Sequence, residues 1–172
     1  MGLIERLQSR FGDAILDSHA RLGDETVIVR REVMPELFRH LRDDPETAFE
    51  MLADMTAVDY LGRAPRFELV CHLLSLSKRH RLRVKVPIDE ADCHVPTSSS
   101  LWKSANWLER EIWDLYGIRF DGHPDLRRIL MYPSFEGHPL RKDYPVAGRQ
   151  PIIPERDPIE NPWPSRDEGL RR

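Results

Sequence analysis

RFELVCHLLSLSKRHRLRVKVPI, residues 66–88, holds two apolar patterns that decide what kind of chain this is. In its second part, Leu82, Val84, Val86 and Ile88 alternate with Arg83, Lys85 and Pro87. A period of two predicts a strand over Arg81–Ile88 with one buried face and one wet face. In its first part, Arg66–Leu76 is apolar with few interruptions, which predicts a strand inside the sheet rather than at its edge. A third strand is expected just upstream, over Met55–Leu61. The turn-like run Gly62-Arg63-Ala64-Pro65 separates it from the second.

Outward from these strands, helical periods take over. Leu3, Ile4, Leu7 and Phe11 carry helical spacing, and Gly12 stops it. Ala14–His19 and Thr26–Arg30 read as a hairpin about the turn signal Gly23-Asp24. Pro35 fits a first helical position, with Leu37, Phe38 and Leu41 as the apolar face. Pro45 is expected to open another helix, with Phe49, Leu52 and Ala53 facing inward. Ser98–Ser100 should cap a long helix whose seam is Leu101, Ala105, Leu108, Ile112 and Leu115. Trp102, Trp107, Trp113 and Tyr116 are more apolar surface than one seam needs; they either join the core or mark a contact surface. The expected fold is α+β, a small mixed sheet with packed helices.

The last 28 residues hold six of the 14 prolines: Pro145, Pro151, Pro154, Pro158, Pro162 and Pro164. Proline lacks an N–H and fixes φ, so this stretch is expected to be an extended tail. The domain is therefore assigned to residues 1–145 and the tail to residues 146–172. Spaced apolar anchors, Trp163 the largest, suit binding along another protein.

Bulk properties exclude several function classes. The net charge is −3 and the basic residues are dispersed among carboxylates, so no nucleic-acid partner is expected. The longest apolar run, around Leu69–Leu76, is broken by His72 and Ser75 and falls far short of the roughly 20 residues a membrane helix needs. The start, MGLIERLQSRFGD, lacks the apolar region of a targeting peptide, so the protein is expected to work where it is made. Cys71 and Cys93 have no CxxC spacing, so neither a disulfide framework nor a zinc or iron–sulfur site of this chain alone is expected.

The candidate functional stretch is GHPDLRRILMYPSFEGHPLRKDYP, residues 122–145, which runs through Gly-His-Pro twice. His123 and His138 each sit between Gly and Pro, in turns rather than on a helix face. Such a histidine can hydrogen-bond backbone beside its own turn, touch a partner, or serve catalysis or a metal. Glu109, Arg110, Glu111 and Asp114 share one helix and read as a solvated, salt-bridged face. Arg127-Arg128 and Arg141-Lys142 have no Gly-rich phosphate loop beside them, so they read as docking points for protein carboxylates.

Three runs then carry a resemblance. Glu109–Phe120 (EREIWDLYGIRF), Gly122–Leu130 (GHPDLRRIL) and Glu136–Pro145 (EGHPLRKDYP) resemble the 30-kDa subunit family of respiratory complex I, the proton-translocating NADH–quinone oxidoreductase. The likeness extends through Ala105-Asn106-Trp107, Val95–Ser98 and Asp54–Tyr60, and covers about residues 10 to 145. Trp113 and Tyr116 stand where the family commonly has other aromatic or apolar residues. Related hydrogenase complexes contain a homologous small subunit; the complete RRIL and LRKDYP runs favour the quinone-reducing enzyme.

The resemblance implies an α+β domain whose C-terminal extension wraps a neighbour. It also implies a subunit of the enzyme with no catalytic, cofactor-binding or metal residue of its own. FMN, iron–sulfur clusters and quinone belong to partner subunits. The main partner is the 49-kDa subunit, followed by other subunits of the peripheral arm. The expected place is the cytoplasmic side of the inner membrane, touched only through the complex. His123, Asp125, Arg127, Arg128, Glu136, His138, Arg141, Lys142, Asp143, Tyr144 and Trp163 are then the expected partner-binding residues. A rival from another class is a metal-dependent hydrolase built on His123, Asp125, Glu136 and His138.

Overall fold

The computed structural model describes residues 2–150. The expected tail from residue 151 onward, with Trp163, lies outside the described residues. Helix α1 (Leu3–Phe11) leads into strands β1 (Ile15–Arg21) and β2 (Asp24–Val29), then helix α2 (Met34–Asp43). Strands β3 (Met51–Asp59), β4 (Phe67–Ser75) and β5 (His80–Ile88) follow, then the short strand β6 (His94–Pro96), helix α3 (Lys103–Tyr116) and β7 (Arg119–Asp121). The sheet order is β1-β2-β5-β4-β3. Only the β2–β5 pair is parallel, so the sheet is mixed and the fold is α+β, as the periodicities predict. β6 and β7 form a separate parallel pair that the sequence does not announce.

The period-two pattern of β5 places the core. Leu82, Val84, Val86 and Ile88 are at most 1% exposed. They stand level with Leu73, Cys71, Leu69 and Phe67 of β4, also buried. Leu7 of α1, Leu37, Phe38 and Leu41 of α2, and Ala105 and Ile112 of α3 pack on this same face. β4 is an interior strand as expected, flanked by β5 and β3. The other face, with Arg83, Lys85 and His72, carries no helix among the described residues and is only partly covered by its own long side chains.

Two local expectations fail for identifiable reasons. Pro45 does not open a helix. Asp44 Oδ1 accepts the Glu46 N–H at 2.8 Å, the Thr47 hydroxyl donates to Leu41 O at 2.9 Å, and Ala48 turns left-handed (φ 43°). These side-chain bonds offer the backbone an alternative to helix, and the chain reverses into β3 instead. Phe49 and Leu52 do point inward, but Ala53 lies exposed at a bulge. Nor do Ser98–Ser100 cap α3. The helix begins further on, at Lys103, with Trp102 at the N-cap and no side-chain cap bond. Trp102 is held instead by its core environment: its indole N–H donates to Phe49 O at 3.2 Å and its ring meets Phe38 edge-on at 5.4 Å.

The α3 seam is real but graded. Ala105, Ile112 and Leu115 are buried, while Leu101 and Leu108 pack against the core half-covered. Ile112→Ala should therefore cost about 2–5 kcal/mol by denaturant unfolding of the full chain, and Leu108→Ala clearly less. A larger loss at Leu108 than at Ile112 would show that α3 is rolled about its axis relative to this packing.

Candidate interaction site, a connector folded onto the end of helix α3

A helix leaves its last four carbonyls without intrahelical partners. At the end of α3 every one of them is met. Gly117, left-handed at φ 78°, donates its N–H to Trp113 O at 2.9 Å. His138 Nδ1 lies 3.0 Å from Asp114 O, the Leu140 N–H donates to Leu115 O at 3.1 Å, and Arg141 Nε donates to Tyr116 O at 2.6 Å. The second Gly-His-Pro turn is thus the cap of α3. A Cβ on Gly117 would sit 2.6 Å from the His138 ring and 2.7 Å from the Arg141 guanidinium, so glycine is required for the close approach as well as for the turn.

The first Gly-His-Pro turn ties down the first turn of the same helix. His123 Nε2 donates to Asn106 O at 3.1 Å, and its Nδ1 accepts the Asp125 N–H at 3.0 Å. One ring nitrogen donates and the other accepts, the pattern of a neutral imidazole. His138 is half-buried, and burial lowers its pKa, with Arg141 and Arg128 acting in the same direction. It too is neutral, and its Nδ1 carries the proton given to Asp114 O.

Between the two turns lies a buried charge. Asp114 has no exposed surface. Its Oδ2 accepts the N–H groups of Ile129, Leu130 and Met131 at 3.0, 2.9 and 2.9 Å, and its Oδ1 accepts Arg128 Nη1 at 2.6 Å. Burial alone pushes the carboxyl up. The N–H groups and Arg128 outweigh it and hold Asp114 below the usual carboxylate range. Arg128 also donates to Phe135 O and Gly137 O, with its guanidinium 5.8 Å from the Trp113 ring centroid and 5.6 Å from that of Phe135. Arg110 donates to the carbonyls of Arg127 and Arg128, both at 3.1 Å.

The expected solvated face of α3 is therefore corrected. Glu109, Arg110 and Asp114 are buried, and of the four only Glu111 is exposed. The connector covers that side of the helix, and Asp114 pairs with Arg128, fourteen residues on, rather than with Arg110.

A second clamp fastens the connector to the sheet. Arg66 grips Asp59 through two parallel bonds of 3.0 and 2.9 Å and Asp143 through two of 2.7 and 3.1 Å, and it reaches Glu90 at 2.5 Å. Asp59 also accepts the Lys142 N–H at 2.8 Å. The side chains of Arg66 and Asp59 are 5% and 1% exposed. The bond to Arg66 holds both Asp59 and Asp143 below the usual carboxylate range. Past the expected domain boundary at residue 145 the chain still folds back, and the Gln150 side chain pairs with the N–H and carbonyl of Glu136 at 2.9 and 3.0 Å.

The expected partner-binding residues thus divide. His123, Arg128, His138, Arg141 and Asp143 spend their polar groups inside the chain, and Tyr144 stacks on Phe135 at 6.0 Å. Asp125 and Arg127 lie outward and pair with each other at 2.9 Å; Glu136 and Lys142 are exposed. Trp107, Leu130 and Leu140 join the outward set, at 61%, 55% and 49% exposure. Of these, only Trp107 had a sequence signal, the aromatic surplus on α3. His123, Asp125, Glu136 and His138 do not form a ligand set: among the described residues no three His, Cys, Asp or Glu converge for a metal. No helix among the described residues is long and apolar enough to cross a membrane. Cys71 is buried and Cys93 half-buried, and neither forms a disulfide.

Fold and site together define an α+β domain carrying a structured connector on the end of its longest helix. Residues 27–150 match the family described as respiratory-chain NADH dehydrogenase, 30 Kd subunit. The C subunit of the NADH-quinone oxidoreductase of Citrifermentans bemidjiense is 47% identical over 157 residues, 91% of this chain and 93% of that one. Its counterpart in Trichlorobacter lovleyi is 50% identical over 158 residues, again 91% and 93%. Among solved structures, the trypsin-resistant fragment (1–134) of Nqo5 superposes with a TM-score of 0.64 at 37% identity, covering 73% of this chain and all of that one. A chain of an archaeal membrane-bound sulfane sulfur reductase shares the fold, with a TM-score of 0.69 at 22% identity over 84% of this chain and 85% of that one. The chain belongs to the 30-kDa subunit family of respiratory-chain NADH dehydrogenase, complex I.

One buried group has a pH signature. Glu109, with no exposed surface, accepts the Ser98 N–H at 2.6 Å and the Thr97 hydroxyl at 2.5 Å. Burial raises its pKa to about 7, against the opposing pull of those two bonds. The folded state therefore binds this proton more tightly than the unfolded chain, and stability falls as pH rises from about 4.5 to about 7, then levels. Glu109→Gln should remove that slope. By chemical denaturation, the variant should match the parent at pH 5 and exceed it at pH 8 by up to about 3 kcal/mol. A difference that stays constant between pH 5 and 8 would show that Glu109 does not titrate there.

Proposed function

We propose that this chain is a non-catalytic structural subunit of the peripheral arm of proton-translocating NADH–quinone oxidoreductase, docked on the 49-kDa subunit on the cytoplasmic side of the inner membrane. Family membership supports the assignment to the complex. The observation that carries the docking role is the division of the connector. Its inward charges brace α3 and the sheet, which leaves Arg127, Leu130, Leu140 and Lys142 outward on the connector, with Trp107 exposed on α3. A pre-ordered backbone loses little further entropy on association, and exposed apolar anchors beside an arginine are the usual makings of an interface core. FMN, iron–sulfur clusters and quinone are assigned to partner subunits. This chain's contribution is then to hold their geometry.

The segment from residue 151 onward is proposed to extend that contact along the partner through Trp163. Its five prolines after Gln150 disfavour independent folding, and ordering it costs about 1–2 kcal/mol per residue that only a large partner surface can offset. The relative's fragment 1–134 is named trypsin-resistant. A comparable compact unit here would leave this segment open to protease in the free chain.

Paired substitution separates docking from bracing. Arg127→Glu with Leu130→Asp should leave the melting temperature of the full chain nearly unchanged, yet sharply lower the yield of intact complex, while complex that does assemble keeps near-normal turnover. Arg141→Ala removes the bond to Tyr116 O and should lower both melting temperature and yield. Normal assembly with abolished turnover in either case would point to catalysis and against this reading. Truncation after Gln150 should spare the domain's melting but weaken its hold on the 49-kDa subunit. Truncation after Tyr144, which also removes the Gln150 clamp, should lower the melting temperature as well.

A further inference from the structure

The end of the sheet farthest from the connector carries features that folding does not require. Leu22 and Gly23 are the two central residues of the β1–β2 hairpin, closed by the pair Arg21 and Asp24. Both have positive φ, 56° and 85°, which defines a type I′ turn. Its first position favours Asn, Asp or Gly, because a left-handed backbone crowds the Cβ of other residues. Here it holds a leucine that is fully exposed, with no home packing to offset the strain.

The same end of the sheet collects more of this chemistry. The β4–β5 hairpin reads SLSKRHRLR over residues 75–83, with four basic residues, a histidine and no acid. Among the described residues no ion pair engages Lys78, Arg79 or Arg81. Leu76 is 64% exposed at the start of that hairpin. Met51, 45% exposed, stands opposite Leu74, which stands opposite Arg81. On the open sheet face beneath them lies a cleft of about 400 Å³ of mixed charge, with Asp24, Glu25 and Asp54 in its wall beside His72, Arg81 and Arg83.

We infer that this end of the sheet is a second protein-docking surface, whose occupant is a segment of another subunit presenting carboxylates around an apolar patch. Leu22, Leu76 and Met51 supply the apolar anchors. The unpaired cations of the β4–β5 hairpin supply the charge that a carboxylate-bearing segment complements. The surface lies about 26 Å along β4 from the Arg66 clamp, the eight residues to Leu74 at about 3.3 Å each. The chain would therefore bridge two contacts rather than cap one. The inference rests on the subunit reading above.

The turn provides the test, since Leu22→Asn installs the residue the type I′ turn prefers. In the full chain it should leave the melting temperature unchanged or raise it, while in the purified complex it weakens retention of the subunit about tenfold during salt-driven dissociation. Arg81→Glu should weaken retention likewise. A photo-crosslinking residue at position 22, in purified complex already shown to contain the chain, should label a carboxylate-rich segment of another subunit. No protein adduct, an adduct to lipid or to a second copy of this chain, or a fall of several degrees in the Leu22→Asn melting temperature would each overturn the inference while leaving the subunit reading intact. Absence of the chain from the complex would instead defeat the subunit reading, and this inference with it.

Discussion

Asp114 is a carboxylate placed where water cannot reach it, and most of the C-terminal third of the chain is arranged around that fact. An ion with no exposed surface is tolerable only when charge and hydrogen bonds surround it. Here three consecutive backbone N–H groups and one guanidinium do so. None of the four lies on the helix that carries Asp114. The chain must therefore leave α3, turn at Gly117, form β7, and return so that residues 128–131 pass over the carboxylate. The return path in turn delivers His138, Leu140 and Arg141 to the open carbonyls of the helix end. The two Gly-His-Pro turns are where the path changes direction, and each histidine is used as a neutral hydrogen-bonding strut.

The sheet imposes a complementary constraint. Among the described residues all three α-helices pack on the face marked by Leu82, Val84, Val86 and Ile88, so the core has two layers and no helix covers the opposite face there. That face survives in water because its interior positions carry long polar side chains lying over one another. Lys85 pairs with Glu68 at 2.7 Å, and Arg83 reaches Thr26 and Asp24 at 3.3 and 3.8 Å. Val70 is 7% exposed and Thr26 not at all, although neither faces a helix. Among the described residues the connector is joined to this sheet at one end, through Arg66, Asp59 and Asp143, so the two ends of the sheet meet different environments.

What the sequence disclosed and what it hid follow the range of the interactions. Strands β4 and β5, helices α1 and α2 and the seam of α3 were legible because period and breaker residues act over a few positions. The helix expected at Pro45 failed because Asp44 and Thr47 bind backbone within their own turn, and this won over a proline signal of similar strength. The charged face of α3 was misjudged for a different reason. Glu109, Arg110 and Asp114 show helical spacing of acids and a base, which on a lone helix means solvent. Their partners, Thr97, Ser98, Arg128 and the carbonyls of residues 127 and 128, sit 11 to 18 positions away. No local pattern records that a later segment will cover the helix.

The same blindness bears on how basic residues are weighed as evidence of binding. Arg127, Arg128, Arg141 and Lys142 look alike in sequence, two basic pairs in turns. The fold makes them unlike: Arg128 spends its guanidinium on Asp114 and the carbonyls of Phe135 and Gly137, and Arg141 gives its Nε to Tyr116 O, whereas Arg127 and Lys142 hold theirs at the surface. An arginine committed to a buried carboxylate or to helix-end carbonyls has little left to offer a partner, because withdrawing it exposes the desolvation cost of the group it serves. Under the docking role proposed above, recognition falls to side chains that the folded connector does not need. These are Leu130, Leu140 and Trp107 with the charges around them, held in place by a layer of ion pairs beneath.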